Sequence, residues 1–170
     1  MALVESAAAG VQAAAQGANL VRLRAPGLST GVLERELREL VAQVDVPVIA
    51  TSRIDLALAA GARGVHLVEG DIGLADARRL ASELVLGSSV HSAEGAAAAA
   101  RDGADYLLFG PIWSTPSHPD AVGVGLDALR ATVAAARPVP VLAVGGVDDA
   151  RRERVMRAGA AGWAAIRMYA

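Results

Sequence analysis

Short apolar runs and helix-period segments alternate along this chain almost without interruption, and that alternation restricts its fold more than any other feature. NLVRLR (19–24), VPVIA (46–50), GVHLV (64–68), LVLGSS (84–89), YLLF (106–109) and PVLAV (140–144) have the length and composition of buried strands. Between them apolar residues recur every three or four positions. In residues 27–44, for example, Val32, Leu33, Leu37, Leu40, Val41 and Val44 make one stripe. Three joints repeat a Gly-Ala step from helix to strand: AAGARGV, RDGADYL and RAGAAGW. Units of this kind pair their strands in parallel through right-handed crossovers, which leaves an open doubly wound sheet or a closed (β/α) barrel. The repeated joint favours the barrel. An open sheet binding a dinucleotide would carry G-x-G-x-x-G after its first strand, and the sequence has none.

The strand count reaches seven, the last within AAGWAAIRM (160–168), because residues 3–16 read as an alanine-rich helix closed by Gly17. A barrel needs eight. Either one more strand belongs at the N-terminal end or another subunit supplies it, so a homo-oligomer stays open. At 170 residues the chain fits a single domain, 1–170.

Composition narrows the chemistry. Net charge is −2 with acids and arginines interspersed, so no basic patch points to nucleic acid. No apolar run has membrane-spanning length and no signal peptide opens the chain, which makes a cytoplasmic protein the expectation. There is no cysteine, which excludes thiolate catalysis and thiolate metal sites. All 16 basic residues are arginine, so no side chain here can form a Schiff base. Proton transfer near neutral pH falls to His66, His91 and His118.

Position sorts these candidates. In parallel α/β proteins the residues just past a strand's carboxyl end line the working face. His91 lies at such an end, ahead of a helix that Ser92 can cap and whose first turn holds Glu94. His66 lies within a strand and reads as a hydrogen-bonded core residue, whereas His118 sits in a long Ser-Thr-Pro loop that can form a lid. Arg22 and Arg24 share the parity of Leu20 on an otherwise buried strand. They either hold an anionic substrate or, for one of them, pair with Asp71. Gly145-Gly146 follows the penultimate strand and precedes a helix expected from about Asp148, where a barrel commonly holds phosphate. Arg167, at the end of the last strand, adds charge to that phosphate or points to solvent.

Gly-Val-His-Leu, Ser-Val-His-Ser, Gly-Ala-Asp-Tyr-Leu-Leu-Phe-Gly-Pro-Ile and Ala-Val-Gly-Gly-Val, in this order, resemble the thiamine phosphate synthase / TenI superfamily from about residue 5 onward. The resemblance implies a TIM (β/α)8-type barrel, here lacking the first strand and most of the last helix. One branch of the superfamily joins a pyrimidine diphosphate to a thiazole phosphate with Mg²⁺. It uses a Gln-x-Arg-x-Lys strand end, an Asn-Asp pair, a later Asp and a loop Lys. At those positions this chain reads Arg22, Arg24 and Pro26, then Thr51-Ser52, Asp71 and His118. One of two carboxylates is lost, which weakens a hard-cation site, so Asp71 is a metal ligand only if Mg²⁺ still binds.

The other branch, the thiazole tautomerases, is marked by the His of Ser-Val-His-Ser, here His91. By resemblance the expected enzyme is therefore an isomerase that aromatises a carboxylated thiazole phosphate by proton transfer through His91. Gly145 and Gly146 would hold the phosphate and Arg22 or Arg24 the carboxylate, with Ser89, Thr115 and Ser117 as further polar contacts. It needs no cofactor, and its partner is a small phosphorylated thiazole. Two alternatives remain: a Mg²⁺-dependent thiamine phosphate synthase, and a non-catalytic relative that binds a phosphorylated ligand.

Overall fold

The computed structural model of this chain describes residues 1–115 and 122–169. Eight parallel strands follow chain order: β1 (Ala2–Val4), β2 (Val21–Leu23), β3 (Val48–Thr51), β4 (Gly64–Leu67), β5 (Val85–Val90), β6 (Tyr106–Phe109), β7 (Val141–Val144) and β8 (Gly162–Ala164). The connections carry α1 (Ala7–Ala15), α2 (Thr30–Gln43), α3 (Ile54–Ala60), α4 (Leu74–Leu80), α5 (Ala93–Arg101), α6 (Gly125–Ala136) and α7 (Arg152–Arg157). This is the TIM-type α/β barrel class. The chain divides into two compact units, Met1–Leu86 with the residues from Ile166 on, and Gly87–Ala165. None of the described helices is long and apolar enough to cross a membrane.

The first strand, expected to be missing, is residues 2–4. Ala2 and Val4 are buried and pair in register with Val21 and Leu23. The helix begins only after Ser6, an extended residue whose hydroxyl accepts the Ala9 N–H at 3.2 Å. Alanine is the best helix former, so sequence periodicity merged Leu3 and Val4 into the helix that follows them. The cap at Ser6 is what separates strand from helix. After β8 the described chain forms only a short 3-10 turn, Arg167–Tyr169.

In the first unit α1 approaches α2 closely, because a Cβ on Gly10 would lie 2.5 Å from a Leu40 methyl. Leu37 and Leu40 are the fully buried part of the α2 stripe; Val32, Leu33, Val41 and Val44 are half-buried. In the second unit Ser92 caps α5, its Oγ accepting the Gly95 N–H at 3.0 Å, with Glu94 in the first turn. Gly87 lets β5 lie beside β6, since a Cβ there would fall 2.1 Å from the ring of Tyr106. The helix expected from Asp148 starts at Arg152 instead.

Leu40 is wholly buried in the first unit. Leu40→Ala should therefore lower unfolding free energy by about 2–5 kcal/mol in urea titration, with secondary structure kept.

Candidate functional site

In the first unit Arg22 of β2 is 4% exposed, where an unpaired charge would be costly. Its Nε donates to Thr51 Oγ1 at 3.0 Å, and that hydroxyl donates onward to the Leu23 carbonyl at 2.7 Å. Thr51 stands opposite His66 in the β3–β4 register. His66 is fully buried, and its pKa is pushed down to about 2, first by burial and then by the neighbouring Arg22 charge. It is therefore neutral in the folded protein. Ser52, next along, takes a left-handed φ of 63° and donates its N–H to the His66 carbonyl at 2.9 Å.

Arg22 and Arg24, expected to share a face, differ in burial. β2 ends at Leu23, so Arg24 lies past the strand, exposed, with its N–H donated to Val4 O. Asp71, the alternative partner for these arginines, turns back on its own chain and accepts the Val68 N–H at 2.7 Å. The residues at the positions that would hold Mg²⁺ do not suit it. The carboxylate of the Asn-Asp pair is replaced by Ser52, a neutral hydroxyl on a left-handed residue, and one Asp71 oxygen is committed to Val68. Among the described residues no cluster of three His, Asp or Glu converges. A dication would have to approach Arg22 with one carboxylate to hold it.

In the second unit His91 follows the tip of β5 as an exposed residue. Its Nδ1 lies 3.1 Å from the Gly110 carbonyl, which can only accept, so Nδ1 is the donor and Nε2 is the ring nitrogen left for another partner. The Gly110–Pro111 bond is cis. Against Pro111 lies the turn after β7, where Gly145 and Gly146 have φ of 92° and 68°. A Cβ at Gly145 would stand 2.5 Å from Pro111 Cβ, and one at Gly146 2.8 Å from Trp113 Cβ. Only glycine fits either position.

Three successive carbonyls of this turn are occupied. Val144 O accepts from Ile112 N–H at 2.9 Å, Gly145 O from Trp113 N–H at 3.1 Å, and Gly146 O from Arg151 Nη1 at 2.9 Å. Among the described residues no acceptor takes the N–H groups of Gly145, Gly146 or Val147. A half-buried turn with its acceptors tied and its donors open suits an anion. Helix α7 is only six residues long and begins after the turn, so the peptide groups themselves make this edge.

Ser89 is half-buried in β5, opposite Leu108 of β6. Thr115 is half-buried at the end of the described segment, and Ser117 and His118 lie outside the described residues. Arg167 falls in the 3-10 turn that belongs to the first unit. Two residues the sequence did not single out are Trp113 and Arg151, whose guanidinium carbon lies 5.1 Å from the indole centroid. The only signal for them was proximity to Gly-Pro and Gly-Gly.

A family profile described as thiamine monophosphate synthase matches residues 3–169. The thiamine-phosphate synthase of Chloroflexus aurantiacus is 42% identical over 97% of this chain and 75% of its own length. A putative thiamine-phosphate synthase of Geobacter sulfurreducens is 41% identical over 98% of this chain and 77% of its own. Among solved structures, a thiamine phosphate pyrophosphorylase from Pyrococcus furiosus superposes with a TM-score of 0.88 at 29% identity, covering 99% of this chain and 87% of that one.

These relatives overturn the expectation of a tautomerase, and of an isomerase, because they are named as thiamine-phosphate synthases or, for the solved structure, a thiamine phosphate pyrophosphorylase. A histidine after a strand does not mark a branch by itself. Here the bond from Nδ1 to a neighbouring backbone carbonyl gives His91 a structural tie that either activity could share.

Burial of neutral His66 also fixes a pH dependence. Below the ordinary imidazole pKa the unfolded chain binds a proton at His66 and the folded chain does not, down to about pH 2. Its contribution is full above that ordinary value and is lost as pH falls. Relative to His66→Asn, wild-type stability should drop by an additional ~1.4 kcal/mol per pH unit between roughly pH 6 and 4.5, read by urea unfolding.

Proposed function

This chain belongs to the thiamine monophosphate synthase family, and on that footing we propose that it is a transferase that couples a pyrimidine diphosphate to a thiazole phosphate. A C–N bond forms between the pyrimidine's methylene carbon and the thiazole nitrogen, the C–O bond to the diphosphate breaks, and pyrophosphate leaves with the electron pair. No proton needs to be shuttled in that step. Its demands are two phosphorylated substrates held in register and charge to stabilise the departing diphosphate.

The observation that carries this function is the turn at Gly145 and Gly146, whose carbonyls are engaged and whose N–H groups are open. It supports a seat for the thiazole phosphate ester, with His91 Nε2 and Ser89 as polar contacts at the tip of β5. In the first unit Arg22 is the group suited to the leaving diphosphate: its guanidinium is buried and held by Thr51. Arg24, exposed past the same strand, can add charge, and Arg167 is kept as a phosphate contact on sequence grounds alone. Thr115, at the end of a described segment, is assigned to substrate contact, as are Ser117 and His118 on sequence grounds.

The purified chain, given both precursors in Mg²⁺ buffer, should form thiamine phosphate and release pyrophosphate in equal amounts. Binding of both compounds without product would identify a non-catalytic relative instead. Gly146→Val, which forces a side chain into Trp113, should raise KM for the thiazole phosphate at least about tenfold and leave KM for the diphosphate within about twofold.

A further inference from the structure

We propose that Arg151 is a positioning residue that orients the N–H of Val147 as a third donor of the phosphate-holding edge, an inference that rests on the phosphate role proposed above. A peptide group is planar and, when trans, points its carbonyl and its N–H in opposite directions. Fixing the carbonyl of one residue therefore fixes the N–H of the next. Ile112 N–H on Val144 O sets the N–H of Gly145, and Trp113 N–H on Gly145 O sets the N–H of Gly146. Both anchors are backbone groups of the segment after β6. Among the described residues the third peptide, Gly146–Val147, has no backbone anchor; a side chain, Arg151 Nη1, takes Gly146 O at 2.9 Å. Val147 N–H has no acceptor among the described residues, as holds for the two glycines.

Arg151 is itself held in place. Its backbone N–H donates to Asp148 Oδ1 at 2.9 Å. Its guanidinium lies over the Trp113 ring at 5.1 Å, and Arg154 lies over the same ring at 5.5 Å. Trp113 thus serves the turn twice, through its N–H on Gly145 O and through the indole that steadies the arginine holding the next peptide. A planar guanidinium can lie flat on a ring while its N–H groups donate in its own plane, whereas an ammonium is attracted to a ring but has no plane to stack on it. This separates Arg151 from an arginine that merely adds positive charge. Arg157, paired with Glu153 on exposed α7, is such a residue.

The test uses the whole chain and two probes, inorganic phosphate and thiazole phosphate, by calorimetry and by amide NMR. Arg151→Ala should weaken thiazole phosphate about tenfold, raise its KM with kcat within about twofold, and abolish the phosphate-induced shift of the Val147 amide. Arg151→Lys should recover part of the affinity, and Arg157→Ala should stay within about twofold of wild type. Unchanged affinity in Arg151→Ala, or an equal loss in Arg157→Ala, would overturn the positioning role. If the wild-type Gly145 and Gly146 amides ignore phosphate, the seat itself is wrong and both proposals fall. If those amides respond but Val147 does not, only the role of Arg151 falls. Should Arg151→Ala not fold, the same readings on Arg151→Lys and Arg151→Gln decide the matter.

Discussion

Two left-handed glycines pressed against a neighbouring loop set the terms for everything at the strand tips of the second unit. At Gly145 and Gly146 there is no room for a Cβ, because Pro111 and Trp113 occupy the space it would need. Close approach lets Ile112 and Trp113 donate backbone N–H groups to the turn's carbonyls. With those acceptors consumed, the peptide planes must present their N–H groups elsewhere, and an edge of donors results. His91 joins the same construction through the Gly110 carbonyl. Packing, backbone hydrogen bonding and a donor-lined edge are thus consequences of one steric fact.

The first unit solves a different problem, the burial of a cation. Arg22 is kept by Thr51, and Thr51 is kept by the carbonyl of Leu23. The charge that results holds the neighbouring His66 neutral, although burial does most of that work. A guanidinium in this place attracts anions and repels dications, and beside Thr51 the carboxylate of the family's Asn-Asp pair is replaced by Ser52. Asp71, engaged with Val68, does not restore the balance.

Much of the fold could be read from particular residues. Ser92, Glu94 and Gly103 bracket α5 as capping chemistry requires, and Gly103 takes the left-handed φ of 94° expected where a helix stops. The misreadings have physical causes. β1 is three residues long and runs into an alanine-rich helix, too short to show an alternation of its own. Parity grouped Arg22 with Arg24 but says nothing of depth, and the first is buried while the second, past the end of β2, is exposed. Tautomerase chemistry was inferred from one histidine and yielded to similarity that extends over nearly the whole chain.

By itself the sequence determined the order of strands and helices from α1 onward, because periodicity, caps and glycines act over a few neighbouring residues. It also determined what chemistry was closed to the chain, since no thiol and no amine side chain is present. The tertiary structure decided which groups meet: Trp113 with Arg151, Arg22 with Thr51, His91 with the Gly110 carbonyl. Those pairs are 38, 29 and 19 residues apart along the chain. Distance of that kind is bridged by parallel strands that bring successive tips side by side, a proximity no local pattern encodes.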